Sequence, residues 1–143
     1  MPELSMNMTV NAPPEKVWAL LRDFNGLGGW HPAMPHSVIE DGRDAEEVGA
    51  VRRFANPDGS VIRERLTGFS DAERRYSYAL EESALPVRDL TGVLAVAPAD
   101  TGGAVIAWSL SFTCRPADER HLEDFLRNVI FGTGMVVLEA RFR

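Results

Sequence analysis

Leu122, Phe125, Leu126, Val129, Ile130, Thr133, Val137 and Ala140 recur at helical spacing and make one apolar stripe along the C-terminal segment. That stripe constrains the fold more than any other feature, because of what precedes it. Six consecutive segments, "HSVIED", "GAVRRFA", "SVIRERLTGF", "RRYSYALEE", "RDLTGVLAVAP" and "AVIAWSLSFTC", have the character of half-buried strands. Turn signals separate them, most clearly Asn56-Pro57-Asp58-Gly59 and Asp100-Thr101-Gly102-Gly103. Short connections at regular spacing predict an antiparallel meander. A curved sheet of this kind needs one face covered, and only the C-terminal helix is long enough to do it. Gly132 and Gly134 interrupt that helix, each at a cost of about 1 kcal/mol against alanine. They predict a kink, or something that approaches the helix backbone closely.

Upstream, "ELSMNMTVN" sets Leu4, Met6, Met8 and Val10 on one side against polar residues, which predicts a strand. "APPEKVWALLRDF" follows, with prolines suited to a first helical turn and Val17, Leu20, Leu21 and Phe24 at helical spacing. Residues Asn25 to Pro35 hold three glycines and two prolines, so they form an irregular stretch or a short broken helix. No repeat, low-complexity tract or linker divides the chain. The expected architecture is α+β, in one domain over residues 1–143. A seven-stranded curved antiparallel sheet wraps a long C-terminal helix, with two short helices after the first strand. A pocket between sheet and helix follows from that geometry.

Composition narrows the partners. The net charge is −6 and no basic stripe appears, which disfavours nucleic acid and an anionic membrane surface. No apolar run is long enough to span a bilayer, so no membrane insertion is expected. The N-terminus "MPELSMNMTV" lacks the features of a signal peptide. The single cysteine, Cys114, excludes an internal disulfide and fits a reducing cytoplasm. His31 and His36 are five apart in irregular chain, and neither an HExxH motif nor paired cysteines occur, so no metal and no cofactor are expected. A nucleophilic triad is disfavoured too, because no GxSxG elbow exists.

Strand alternation assigns faces. In "SVIRERLTGF" the face with Arg63 and Arg65 belongs outside, which turns Ile62, Glu64 and Leu66 inward. An inward carboxylate is a candidate acid or base near neutral pH, or the partner of Arg52 or Arg53 in a structural ion pair. In "GAVRRFA" either Arg52 with Phe54 or Val51 with Arg53 points in. Arg53 is a candidate for ligand binding. Tyr76 and Tyr78 share a face and could donate to a ligand carbonyl or fill the core. Trp108 and Phe112 are core or pocket wall. In "GGWHPAMPHS", Trp30 packs, and His31 is either a hydrogen-bonding group at a pocket mouth or the shaper of a turn.

The run "VNAPPEKVWALLRDFNGLGGWHP", then "GAVRRF", "VIRERLTGF", "YSYAL", "LPVRDLTGVLAV", "VIAWSLSF" and "GTGMVVLEARF", resembles the polyketide cyclase/dehydrase branch of the START-like (SRPBCC) superfamily. The chain is most similar to its small bacterial members, and the likeness runs over nearly its whole length. The resemblance implies a helix-grip fold around a deep hydrophobic cavity, with the "WHP" segment near its entrance and the glutamate of "ERL" on a cavity-facing strand. It implies binding of a small hydrophobic or aromatic, polyketide- or lipid-like molecule. The alternative is a cyclase/dehydratase with Glu64 or His31 as general base and Tyr78 as hydrogen-bond donor. Trp30, Arg53, Leu66, Tyr76, Trp108, Phe112, Val129 and Thr133 complete the candidate ligand-binding set. A homodimer is compatible with the family, and nothing in the residues demands one.

Overall fold

The computed structural model describes residues 2–143; Met1, the first residue of the expected domain, lies outside them. Strand β1 (Glu3–Val10) is followed by α1 (Pro14–Leu21), a 3-10 turn (Phe24–Gly26) and the single-turn α2 (Leu27–Trp30). Strands β2 (Ser37–Ile39), β3 (Val51–Ala55), β4 (Val61–Ser70), β5 (Arg75–Glu82), β6 (Arg88–Pro98) and β7 (Ala104–Thr113) follow. The C-terminal helix comprises α3 (Pro116–Phe125), a π segment (Leu126–Gly132) and α4 (Thr133–Arg141). All strands pair antiparallel in the order β1-β7-β6-β5-β4-β3-β2. This is the helix-grip architecture, with the sheet curved around the C-terminal helix.

Local chemistry explains most of these elements. Pro14 opens α1, where a missing N–H costs nothing, and Val17, Trp18 and Leu21 bury its inner face. Every second residue of β7, from Ala104 to Phe112, is buried, as expected of a strand covered on one side. Strand β2 is shorter than "HSVIED" predicts. The chain leaves the sheet after Ile39 because Asp41 and Gly42 take left-handed backbone angles, φ 60° and 65°.

The apolar stripe of the C-terminal helix differs from the expected one after its midpoint. Leu122 and Leu126 are buried as the spacing requires, but the next core residue is Phe131, and then come Met135, Leu138 and Phe142. The step from Leu126 to Phe131 is five residues, one turn of π-helix rather than α-helix. That extra residue rotates everything downstream. Thr133 and Val137 are consequently only partly buried, and Ala140 is exposed.

Candidate functional site

A cavity of about 380 Å3 lies between the sheet and the C-terminal helix. Leu27 and Met34 line it from the segment around α2, Ile62 and Leu80 from the sheet, and Phe125 and Ile130 from the helix. Asn56, Asp58, Ser60 and Ser83 form a polar rim at the β3–β4 and β5–β6 connections. Deeper in, the polar residues are Arg52, Glu64 and Tyr78.

Arg52 is the polar centre of this floor. Only 1% of its surface is exposed. Its Nε donates to Oε1 of Glu64 at 2.9 Å, and Nη2 is in ion-pair contact with the same oxygen, also at 2.9 Å. Nη1 donates to the Phe24 carbonyl oxygen at 2.9 Å and reaches the Tyr76 hydroxyl at 3.4 Å. The Phe24 ring covers the guanidinium, with its centroid 4.1 Å from Cζ. A buried cation is tolerable only when paired and hydrogen-bonded in this way. Burial pulls the Arg52 pKa down, but Glu64 and the two tyrosines outweigh it, so the guanidinium stays charged.

Tyr78 sits beside this pair. Its hydroxyl oxygen accepts from Trp108 Nε1 at 3.0 Å, and no described residue accepts its hydrogen. Burial raises the Tyr78 pKa, so the phenol keeps its proton. Gly92 faces Tyr78 on the neighbouring strand. A Cβ on Gly92 would fall 2.3 Å from Cζ and 2.5 Å from the hydroxyl oxygen of Tyr78. The absence of a side chain there gives the ring its seat.

His31 stands behind the cavity lining, against Ala33, Trp108 and Ile130. It is buried, and the Ala33 N–H donates to its Nδ1 at 3.1 Å. Nδ1 is therefore an acceptor, and the ring hydrogen is on Nε2, which donates to the Ile130 carbonyl oxygen at 2.7 Å. Burial lowers the His31 pKa, only partly opposed by the Ile130 hydrogen bond, so the ring is neutral near pH 7. Gly134 supplies the space: a Cβ there would be 2.9 Å from His31 Cδ2. The close approach that the helix glycines predict is that of His31.

Of the sequence candidates, Glu64, Tyr78, Trp108 and Val129 line the cavity. Others lie outside the lining. Trp30 packs edge-on behind Trp108, with centroids 6.3 Å apart. Leu66 and Phe112 are wholly buried, and Tyr76 lies behind Arg52. Both nitrogens of His31 are occupied by the backbone of two lining residues, Ala33 and Ile130. Thr133 is turned aside by the π turn, and its hydroxyl donates to the Asn128 carbonyl oxygen at 3.3 Å. For the arginines the expectation needs correction: Arg52 faces inward with Phe54, and Arg53 is exposed. Glu64 and the Phe24 carbonyl, which pair with Arg52, are on the inner face. Gly92 is missed by sequence reasoning, although a glycine inside a strand is a signal of close approach. Among the described residues no cluster of three or more His, Cys, Asp or Glu could hold a metal, and no helix is long and apolar enough to cross a membrane.

Residues 1–141 match the family model for polyketide cyclase / dehydrase and lipid transport. Comparison with curated proteins finds no match. Among solved structures, a Thermobifida fusca protein is 29% identical with a TM-score of 0.91, covering 99% of this chain and 93% of that one. A Bacillus thuringiensis protein is 31% identical with a TM-score of 0.82, covering 99% and 98%. A Thalictrum norcoclaurine synthase point mutant, in complex with a transition state analogue, is 14% identical with a TM-score of 0.75 over 99% and 93% of the two chains. That last likeness is one of fold. The match over nearly the entire length, carried on a helix-grip fold, means that the chain belongs to the polyketide cyclase / dehydrase and lipid transport family.

Proposed function

We propose that the cavity binds a small hydrophobic or aromatic molecule, polyketide- or lipid-like in character. The observation that carries this reading is an apolar cavity of about 380 Å3 with a phenol hydrogen, that of Tyr78, left without an acceptor among the described residues. Apolar walls with a few placed polar groups are the usual makeup of a small-molecule site. The family description, which names lipid transport, supports the reading. Native mass spectrometry of freshly purified protein and titration with the neutral probe N-phenyl-1-naphthylamine test it. A bound species or a saturable rise in probe fluorescence is expected; finding neither overturns the reading.

A second reading rests on Glu64, whose Oε1 is fixed by Arg52 while Oε2 has no donor among the described residues. In a cyclase, Oε2 removes a proton α to a ketone and Tyr78 donates to the enolate oxygen. The enolate carbon attacks a second carbonyl, the new alkoxide takes back the proton, and water is then lost. His31 has no proton-transfer role in this scheme, because the backbone occupies both its nitrogens; it fixes the wall instead. Glu64→Gln is expected to lower turnover of a poly-β-ketone about 10²–10⁴-fold with an unchanged circular dichroism spectrum. Unchanged turnover removes the enzyme reading.

A further inference from the structure

The charge and head group of the occupant can be read from the cavity, given the binding reading above. Three charged side chains line it, Arg52, Asp58 and Glu64, and among the described residues no lysine or histidine does. Arg52 has its charge met inside the protein, by Glu64. It is 1% exposed, both its Nε and its Nη2 are on Glu64, Nη1 is on the Phe24 carbonyl, and the Phe24 ring covers its face. Asp58 at the rim accepts from the backbone N–H and the hydroxyl of Ser60, which hold its carboxyl below the usual carboxylate range and therefore charged.

Glu64 and Tyr78 are left with complementary free capacity. Oε2 of Glu64 has lone pairs and no donor among the described residues, while the Tyr78 hydroxyl has a hydrogen and no acceptor. Glu64 is opposite Leu80 and Leu66 is opposite Tyr78, so carboxylate and phenol are diagonal neighbours on one face of the sheet. A free acceptor and a free donor on one face are together the complement of a hydroxyl group, which gives one hydrogen and accepts another.

We infer that the cavity takes an uncharged apolar molecule bearing a hydroxyl, which donates to Glu64 Oε2 and accepts from Tyr78, and that it rejects carboxylates. A fatty or aromatic acid would bring its charge up to the half-buried Glu64 carboxylate, past Asp58 at the exposed rim, and like charges brought together oppose binding.

Three probes with one ring system test this: naphthalene, 2-naphthol and 2-naphthoate, titrated calorimetrically into the full chain at about pH 7.5, where the acid is ionised. The naphthol is expected to bind about tenfold more tightly than naphthalene, and the naphthoate about 100-fold more weakly than the naphthol. Glu64→Gln is expected to narrow the gap between naphthol and naphthoate. Because that variant leaves Arg52 unpaired, Tyr78→Phe, which keeps every charge, serves as the second test: it should erase the advantage of naphthol over naphthalene. Naphthoate binding as tightly as naphthol overturns this inference and leaves apolar binding standing. Failure of all three probes to bind overturns both.

Discussion

The Nε2–H of His31 donates to the carbonyl oxygen of Ile130 at 2.7 Å, bolting the segment after α2 to the π turn of the C-terminal helix. The bolt requires a neutral imidazole. Protonating Nδ1 would set a new N–H against the Ala33 N–H that now donates to it. Burial lowers the folded-state pKa below the ordinary 6.5, so the unfolded chain takes up the proton first. The stability from this group is full above about pH 6.5 and is lost as pH falls through the folded-state value, with a slope of at most about 1.4 kcal/mol per pH unit. Urea unfolding between about pH 7.5 and 5 should show this loss, and His31→Gln should be flatter over the same range.

Gly134→Ala is expected to destabilise the protein even though alanine is the better helix former. The propensity gain is about 1 kcal/mol. Against it, the new Cβ would be 2.9 Å from Cδ2 and 3.1 Å from Nε2 of His31, and 3.4 Å from the Trp108 ring. His31 is held by hydrogen bonds on both sides, so the strain of about 1–3 kcal/mol has no cheap outlet. A lower melting temperature for Gly134→Ala, relieved in the His31→Ala background, is the expected result.

Removing Glu64 alone leaves a buried guanidinium without its counterion. Glu64→Ala should therefore cost about 3–5 kcal/mol in urea unfolding, whereas Arg52→Met combined with Glu64→Leu should recover most of the loss. If the double variant is no more stable than the single one, the pair is held by something other than mutual neutralisation.

Gly92→Val should disable the site while the sheet persists, because its side chain must enter the space that holds the Tyr78 ring. The Trp108 indole N–H, which donates to Tyr78 at 3.0 Å, reports the change. Its nitrogen–proton NMR resonance should shift in Gly92→Val and in Tyr78→Phe alike, and N-phenyl-1-naphthylamine affinity should fall in the first. An unmoved indole resonance in Gly92→Val would mean that the ring has another place to rest.

The sheet is legible in the sequence because strand alternation and turn residues are local signals. Two arginines on one face of β4 leave Glu64 to the other, and nothing distant is needed to see it. Arg52 and Arg53 could not be separated in the same manner, since Val51-Arg52-Arg53-Phe54 reads equally well in either register. What decides is a pair of partners, Glu64 on the adjoining strand β4 and the carbonyl of Phe24 in the turn after α1, the second of them distant from β3 in sequence. The π turn is hidden for a related reason. Apolar residues at 125, 126, 129 and 130 fit an uninterrupted α-helix, and the extra residue shows only in where Phe131 and Met135 point. Gly134 carries the one local trace, a residue with poor helix propensity kept where an imidazole must fit.

The helix wall and the polar floor of the cavity come from separate parts of the chain. Arg52, Glu64 and Tyr78 are fixed on three consecutive strands, while Phe125 stands at the start of the π segment of the C-terminal helix and Val129 and Ile130 within it. Changing the size of those helix residues alters the shape offered to the body of an occupant and leaves the hydrogen-bonding pair untouched. Such a scaffold can be adapted to new molecular outlines one helix position at a time, with its chemical grip inherited intact.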